Sequence, residues 1–187
     1  MKKMMVMLLA AVWLTACSMG SQVESTGNNS SNTKNSVAHD TARLVERVNE
    51  IYTYVSNYYE YMKTPQSKTR LTGIKPPAVK YCSRDWNDWV TRVNNYDAEH
   101  DDGMEGFFEA DYWIMGQDWD KISVSDVSVA SMTDSTAVVN LNLHNFNDIA
   151  VRLEMVLERD EWKIDNFIDV KNDLDWKAAM KEYLNSL

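Results

Sequence analysis

Apolar residues recur every three or four positions from Thr41 to Lys63, and this spacing predicts an amphipathic helix capped by Asp40. Pro65 disfavours a helical conformation in the residue before it, so the helix should end near Lys63. The apolar face consists of Leu44, Val48, Ile51, Tyr52, Val55, Tyr59 and Met62. A second stripe with helical spacing predicts another helix and carries Cys82, Trp86, Trp89, Val90 and Val93.

The apolar period changes to two after the acidic stretch from Asp97 to Asp111, which indicates β-strands. The aromatic segment 111–119 predicts a strand or a strand edge. Alternating residues between 122 and 164 predict a series of hairpins, with a bulge at Ser125-Asp126 and a turn at 159–161. A last amphipathic helix presents Trp176, Ala179, Met180, Tyr183 and Leu187 on one side. This order predicts an α+β domain with helices packed on one face of a curved, mostly antiparallel sheet.

The N-terminus has the three parts of a secretory signal: two lysines, an uncharged apolar run and small residues before a cysteine. The apolar run from Val6 to Leu14 is too short to cross a bilayer, which takes about 20 residues. The segment Leu14-Thr15-Ala16-Cys17 resembles the bacterial lipobox. Residues 1–16 are therefore predicted to be a signal peptide, and Cys17 to carry the acyl chains, palmitate among them, that anchor the protein in a membrane.

Residues 18–39 are rich in Ser, Asn, Gly and Thr and contain too few apolar positions to form a core. We interpret residues 17–39 as the lipidated cysteine and a flexible tether, followed by one domain at residues 40–187. Ser18 follows the cysteine, an arrangement that resembles outer-membrane lipoproteins. The domain is therefore expected to lie in the cell envelope, at the outer membrane and facing the periplasm.

The net charge restricts the kinds of partner. The chain has 19 basic and 28 acidic residues, or −9, and loss of Lys2 and Lys3 with the signal leaves 17 and 28, or −11. An acidic surface repels phosphate backbones and anionic headgroups, so nucleic acid is not expected as a partner and the lipid must supply the membrane contact. After lipidation of Cys17, Cys82 is the only thiol, which rules out an intramolecular disulfide and favours burial of Cys82.

The motifs of common enzyme and metal sites are missing from the sequence. There is no nucleophile elbow, dinucleotide-binding turn or phosphate loop. The three histidines, at positions 39, 100 and 144, have no zinc-ligand spacing. The acidic residues between Asp97 and Glu105 do not fit the register of a calcium-binding hand and are interpreted as a solvated loop. No metal and no cofactor are therefore expected.

Two segments resemble a known family. The Asp111-Tyr112-Trp113-Ile114 to Gln117-Asp118-Trp119 stretch and the Glu161-Trp162-Lys163-Ile164-Asp165 stretch are similar to uncharacterised bacterial lipoproteins with a nuclear-transport-factor-2-like (SnoaL-like, cystatin-like cone) domain. The resemblance covers residues 40–187. It implies a concave sheet and covering helices around a pocket, but no single chemistry, because such domains include enzymes, binding modules and dimerisation domains.

Six residues are candidates for lining that pocket, because an aromatic wall with one or two inward ionisable groups can bind a small ligand. The alternative is that the tryptophans belong to the core, that the acids cap turns or pair with cations, and that the histidine is exposed. The candidates are Tyr112, Trp113, Asp118, Trp119, His144 and Asp165.

Two classes of function remain open. The first is a non-enzymatic, membrane-anchored envelope lipoprotein that binds a small ligand, a glycan or an envelope protein. The alternative is a small cone-fold enzyme that uses Asp118, Asp165 or His144 in acid–base chemistry, or an immunity or inhibitor lipoprotein that blocks a hydrolase through its acidic surface. The sequence leaves a homodimer open.

Overall fold

The structure is a computed structural model that describes residues 29–64, 73–100 and 106–186, with only the backbone for residues 29–39. The signal peptide, Cys17 and Leu187 lie outside the described residues. Within them, no helix combines the length and apolarity needed to cross a membrane. The elements are α1 (Asn29–Met62), α2 (Pro77–Tyr81), α3 (Arg84–Glu99), β1 (Ser123–Met132), β2 (Thr136–Asn145), β3 (Asn147–Glu158), β4 (Glu161–Asp169), β5 (Leu174–Asp175) and α4 (Trp176–Asn185).

Helix α1 has the predicted buried face but begins earlier than predicted. Asp40 lies inside the helix instead of capping it, and the tether predicted for residues 18–39 overlaps α1 from residue 29 onward. No glycine or proline occurs between residues 28 and 62, so nothing in the sequence stops the helix at Asp40. The buried face runs from Leu44 to Tyr59, whereas Met62, the last helical residue, is exposed.

The second predicted helix is divided in two at Cys82 and Ser83. The Ser83 hydroxyl accepts a hydrogen bond from the Trp86 N–H (2.9 Å) and so caps α3. The Ser83 N–H donates to the Ile164 carbonyl (2.8 Å), which ties the break to β4. Cys82 is buried as predicted, and burial raises the pKa of its thiol well above the usual value, so it remains protonated.

The five strands form one antiparallel sheet in the order β1-β2-β3-β4-β5, which confirms the predicted fold class. The predicted bulge is present, because the β1–β2 register shifts between Ser125 and Ser128 and Asp126 has φ 52°. The predicted turn after β3 is also present. Its residues Arg159 (φ 51°) and Asp160 (φ 64°) are both left-handed, as a two-residue hairpin turn requires.

Segment 111–119 is a series of turns and not the predicted strand. Its one ladder contact is an isolated bridge between Asp111 and Gly116, and Met115 adopts φ 50°. Trp113 and Ile114 are almost fully buried and fasten the segment to the core. The aromatic composition that suggested a strand therefore reflects burial of individual side chains, because the backbone turns too tightly for a strand.

Aromatic side chains fill the space between the helices and the sheet. Trp86 packs with its ring centroid 4.9 Å from those of both Tyr112 and Phe167, and Trp113 lies 4.9 Å from Phe167. Tyr112 also approaches Trp176 at 6.1 Å, which brings α4 into the same cluster. Edge-on ring contacts of this kind add stability beyond the buried apolar area. Two of the residues predicted to line a pocket, Tyr112 and Trp113, therefore pack inside this cluster.

Candidate functional site

The end of the sheet at the β2–β3 turn presents a surface that combines an aromatic residue with carboxylates. We call it the hairpin-tip surface and define it as Phe146 with the exposed residues Asp118, Asp120, His144 and Asp148. Its two parts are the β2–β3 turn and the loop of residues 111–120.

Asn145 joins these two parts. Its amide nitrogen donates to the carbonyls of Ile114 and Asp118, each at 3.0 Å, and its amide oxygen accepts from the Asp120 N–H at 3.2 Å. Asn145 is almost fully buried, so these bonds form largely away from water, where an unmade bond is costly. The Lys63 ammonium donates to the Asp120 carbonyl (3.0 Å), which ties the end of α1 to the same loop. The hairpin tip is therefore held at several points.

Phe146 is the apex of the turn and has two unfavourable features. Its backbone is left-handed (φ 56°), a conformation that costs a bulky residue about 1–2 kcal/mol. The residue is 58% exposed, the largest exposed fraction among the Phe, Tyr and Trp residues of the described chain. Asn or Gly would suit this backbone better. Folding therefore gains nothing evident from a phenylalanine at this position.

Asp111 holds the other end of the loop. Its carboxylate accepts hydrogen bonds from the Tyr59 hydroxyl and from the Trp113 N–H (2.8 Å). Burial raises the pKa of Asp111, and the two hydrogen bonds only partly oppose that effect. Burial, together with the Asp111 charge and hydrogen bond, also raises the pKa of Tyr59, which stays a hydrogen-bond donor.

Three of the six candidate pocket residues lie at or beside the hairpin tip. Asp118 is exposed on the loop, and the Trp119 ring packs edge-on against Tyr59 with 5.1 Å between centroids. His144 is exposed, and its Nδ1 lies 2.8 Å from Asp148 Oδ1 across the hairpin. The structure therefore brings these three to one end of the molecule, on an open surface.

The other three candidates lie in the interior. Tyr112 and Trp113 belong to the aromatic cluster described above. Asp165 lies in a polar network, where it accepts from the Ser83 hydroxyl (2.5 Å) and pairs with Lys177 (2.6 Å). The structure describes cavities of about 820 Å³ and 250 Å³, and neither lining includes any of the six candidates.

The Asp165 network has a structural role in joining α3, β4 and α4. Lys177 also pairs with Asp85 (2.8 Å) in the first turn of α3. Burial acts to lower the pKa of Lys177, but the hydrogen bonds and charges of Asp165 and Asp85 outweigh it and raise the pKa, so Lys177 is cationic. Because two internal donors already occupy the Asp165 carboxylate, it is poorly placed to take a proton from a ligand.

A metal site is not formed by the described side chains, which contain no group of three or more His, Cys, Asp or Glu able to hold an ion. The acidic stretch is described only in part, because residues 101–105 lie outside the described chain. Asp97, at its start, accepts from the Tyr183 hydroxyl (2.7 Å) and the Phe107 N–H (3.0 Å). This carboxylate fastens the segment after the acidic stretch to α3 and α4.

Sequence reasoning missed Asn145, Phe146 and Asp111. A phenylalanine between two asparagines, at the junction of two alternating strands, was the available signal for Phe146, because turns there favour Asn, Asp or Gly. Asn145 gave no signal, because its hydrogen-bond partners lie 25 or more positions away. Asp111 gave none for its contact with Tyr59, which lies 52 positions away.

Comparisons with known proteins give few matches. No protein-family model and no curated protein sequence matches this chain. Among solved structures, a chain of the type VI SeMet effector–immunity complex Tae3–Tai3 from Ralstonia pickettii aligns with 20% identity, a TM-score of 0.40 and coverage of 64% of this chain and 92% of its own. The native form of that complex gives 22% identity, a TM-score of 0.39 and coverage of 63% and 91%. At these values the likeness carries no conclusion about function.

Proposed function

We propose that this chain is a membrane-anchored envelope lipoprotein that binds a protein partner through the hairpin-tip surface and acts without catalysis, in the manner of an inhibitor or immunity protein. One observation carries the proposal: Phe146 is both exposed and held in an unfavourable backbone conformation on a turn that Asn145 fixes in place. Such strain persists where a residue serves a purpose other than folding.

The composition of the hairpin-tip surface supports a protein partner. A rigid aromatic side chain surrounded by polar groups is the usual anatomy of an interaction hot spot, since burial of the ring supplies affinity and the rim supplies orientation. Asp118, Asp120 and Asp148 provide three exposed carboxylates in that rim. The proposed partner therefore has an apolar pocket bordered by lysine or arginine residues.

The environments of the candidate acid–base residues favour binding over catalysis. Asp118 and His144 lie on an open surface, whereas a general base with a shifted pKa needs an enclosed site. Asp165 is committed to Ser83 and Lys177. Tyr112 and Trp113 pack into the aromatic cluster and leave no enclosed site between them. Lipidation of Cys17 and a periplasmic position form part of the proposal and rest on the sequence alone.

The proposal predicts that Phe146→Asn separates binding from stability. Asn suits a left-handed turn, so the midpoint of thermal unfolding should stay the same or rise. Loss of a hot-spot ring should weaken the partner complex by about 2 kcal/mol or more, a factor of about 30. The wild-type chain and the variant, purified in detergent, would each be immobilised and exposed to envelope extract, with retained proteins identified and tested for hydrolase activity.

The matched control is Val79→Asn, which removes an exposed apolar residue (62% exposed) in α2. The expected result is a hydrolase that the wild-type chain and the Val79 variant retain and inhibit, and that the Phe146 variant neither retains nor inhibits. A partner held equally by all three proteins would contradict the proposal.

A further inference from the structure

A concave surface lies at the opposite end of the sheet from the hairpin tip. It is a cavity of about 820 Å³ between α1, the β1–β2 turn and the β3–β4 hairpin, and we call it the acidic groove. None of the residues discussed above as the candidate site lines it. Because β3 has 12 residues and a strand rises about 3.4 Å per residue, the two ends are about 40 Å apart. One small binding segment cannot occupy both.

The walls of the groove are well ordered by hydrogen bonds. The Leu157 N–H donates to the Ser135 carbonyl (2.9 Å), which joins β3 to the β1–β2 turn. That turn is closed by the Thr133 N–H, which donates to the Thr136 carbonyl (2.8 Å). The wall formed by α1 is a continuous helix whose inner face is buried in the core. The groove is therefore preformed, which reduces the entropic cost of binding.

The floor of the groove is partly apolar. Met132, Leu157 and Trp162 all line it. Leu157 is 37% exposed although it belongs to a central strand of the sheet, and Trp162 and Met132 are half-buried. These side chains leave apolar surface that a ligand could cover.

Negative charge dominates the rim. The guanidinium group of Arg47 is already engaged by Glu50 (3.0 Å) and Glu161 (3.8 Å), and Glu161 also pairs with Lys163 (2.5 Å). Among the described side chains, Glu46, Asp134 and Asp160 line the groove without a cation at ion-pair distance. Arg43 is the one positive side chain of the lining that has no such partner within the described chain. The rim therefore carries an excess of uncompensated carboxylates.

From this arrangement we infer that the acidic groove binds an extended cationic segment of a partner protein, with lysine or arginine side chains facing Glu46, Asp134 and Asp160 and apolar side chains covering Leu157 and Trp162. We choose a cationic occupant because its positive charges complement the carboxylates of the rim. A second copy of the chain, with net charge −9, and an anionic lipid surface would both bring like charges together.

The inference does not depend on the proposed role of the hairpin tip, and it can be tested with defined probes. A fluorescein-labelled octapeptide of alternating leucine and lysine would be titrated with the full chain and followed by fluorescence anisotropy, beside an octapeptide of alternating leucine and glutamate. The lysine peptide should bind, and its affinity should fall when ionic strength rises from about 0.05 M to about 0.5 M. The glutamate peptide should not bind.

The variant for this test is Asp134→Asn with Asp160→Asn, which removes two charges and keeps the side-chain shapes. Asn tolerates the left-handed backbone of residue 160, so the variant should fold. The control, Asp88→Asn with Asp173→Asn, removes two exposed charges that belong neither to the groove nor to the hairpin-tip surface. The lysine peptide should bind the groove variant about tenfold more weakly, a loss of about 1.4 kcal/mol, and bind the control like wild type.

Three results would overturn the inference. The first is equal weakening in the groove variant and the control, which would mean that net charge alone attracts the peptide. The second is equal binding of the glutamate peptide, and the third is no binding of the lysine peptide to the wild-type chain. Phe146→Asn should leave binding of the lysine peptide unchanged. The proposed function of the hairpin tip and the proposed ligand of the groove can therefore be refuted separately.

Discussion

The Asp165 network and the hairpin tip both contain residues that looked functional in the sequence, but they use their polar groups in opposite ways. In the network, Ser83 and Lys177 both donate to the Asp165 carboxylate, and the Lys177 side chain is only 10% exposed. At the hairpin tip, Asn145 uses its amide to fix the backbone, while Phe146 and the nearby carboxylates face outward. A charged residue that is satisfied internally stabilises the fold, and an exposed group on a rigid support is available to a partner.

The difference gives a physical criterion for choosing among candidate residues. Burial and ionisable chemistry alone point to Asp165, because functional carboxylates are often buried. The hydrogen bonds around Asp165 come from within the domain, so its burial is explained without a ligand. Phe146 has the opposite character, because the tight turn accounts for its left-handed backbone but no contact within the domain accounts for an exposed phenylalanine there. The predictions below test whether stability and binding divide between these two regions.

The largest effect on stability should come from Lys177→Met. The change keeps much of the apolar stem but leaves Asp165, whose side chain is 22% exposed, without its cation. Breaking a largely buried pair in this way should lower the free energy of unfolding by about 2–3 kcal/mol, measured by urea denaturation. Lys181→Met on the same helix is the control, because Lys181 is exposed. If both variants lost the same small amount of unfolding free energy, the Asp165 network would not stabilise the fold more than an exposed lysine does.

Much of the fold could be predicted because its apolar periods are local. The alternation in β3 and the spacing in α1 determine which side chains enter the core, and the bulge near Ser125 follows from a change of parity in the sequence. The start of α1, the break at Cys82 and the turns of segment 111–119 could not be predicted. The break depends on a tertiary contact, the hydrogen bond from Ser83 to Ile164 in β4, and the turns depend on the burial of Trp113 and Ile114. The helix starts early because no glycine or proline precedes Asp40 closely enough to stop it.

An intermediate effect is expected for Asn145→Ala. The change removes the donors to Ile114 and Asp118 and the acceptor for Asp120, and it leaves those backbone groups without a partner at a buried position. The free energy of unfolding should fall by about 2 kcal/mol. The exposed neighbour Asn147 offers a matched control, Asn147→Ala, with an expected change below about 0.5 kcal/mol.

Unlike Lys177→Met, Asn145→Ala should also weaken binding at the hairpin tip. The reason is that the alanine variant loses the hydrogen bonds that hold the backbone next to Phe146, whereas the Asp165 network does not contact the turn. Hydrogen exchange of the amides in residues 111–120 should accelerate in the Asn145 variant only. Faster exchange there in the Lys177 variant would show that the two regions are not independent.

The candidate site was harder to predict from the sequence than the fold. Asp118 and His144 were identified as ionisable residues that could face a pocket, and the structure places them at the hairpin tip. They were chosen because a carboxylate or an imidazole can act as an acid or a base, but the structure places both side chains on an exposed surface. The residue with the clearest functional signature, Phe146, has no ionisable group, and its significance depends on a backbone angle and an exposed area that a sequence does not contain.

The smallest effect, and the one with a distinct pH dependence, is expected for Asp111→Asn. Burial raises the pKa of Asp111 in the folded chain above its ordinary value of 3.8, so the folded state binds more protons than the unfolded state between these two values. The contribution of Asp111 to stability is therefore fully present below 3.8 and declines as pH rises toward the folded-state pKa. Asparagine at position 111 keeps an oxygen that accepts from the Trp113 N–H and an amide group that faces the Tyr59 hydroxyl. Because asparagine does not titrate, the contribution of residue 111 to stability in the variant should not change with pH.

Thermal unfolding of wild type and variant should therefore give similar midpoints near pH 3.8, and the variant should become the more stable of the two as pH rises toward neutrality. Asp118→Asn, an exposed change in the same loop, should show no such trend. The opposite result would be a variant whose stability falls furthest below wild type at neutral pH. It would mean that the hydrogen bonds from Tyr59 and Trp113 stabilise the ionised carboxylate by more free energy than its burial costs. In that case Asp111 would belong with Asp165 among the charges that stabilise the fold, and the loop under the hairpin tip would be more tightly held than its buried acid suggests.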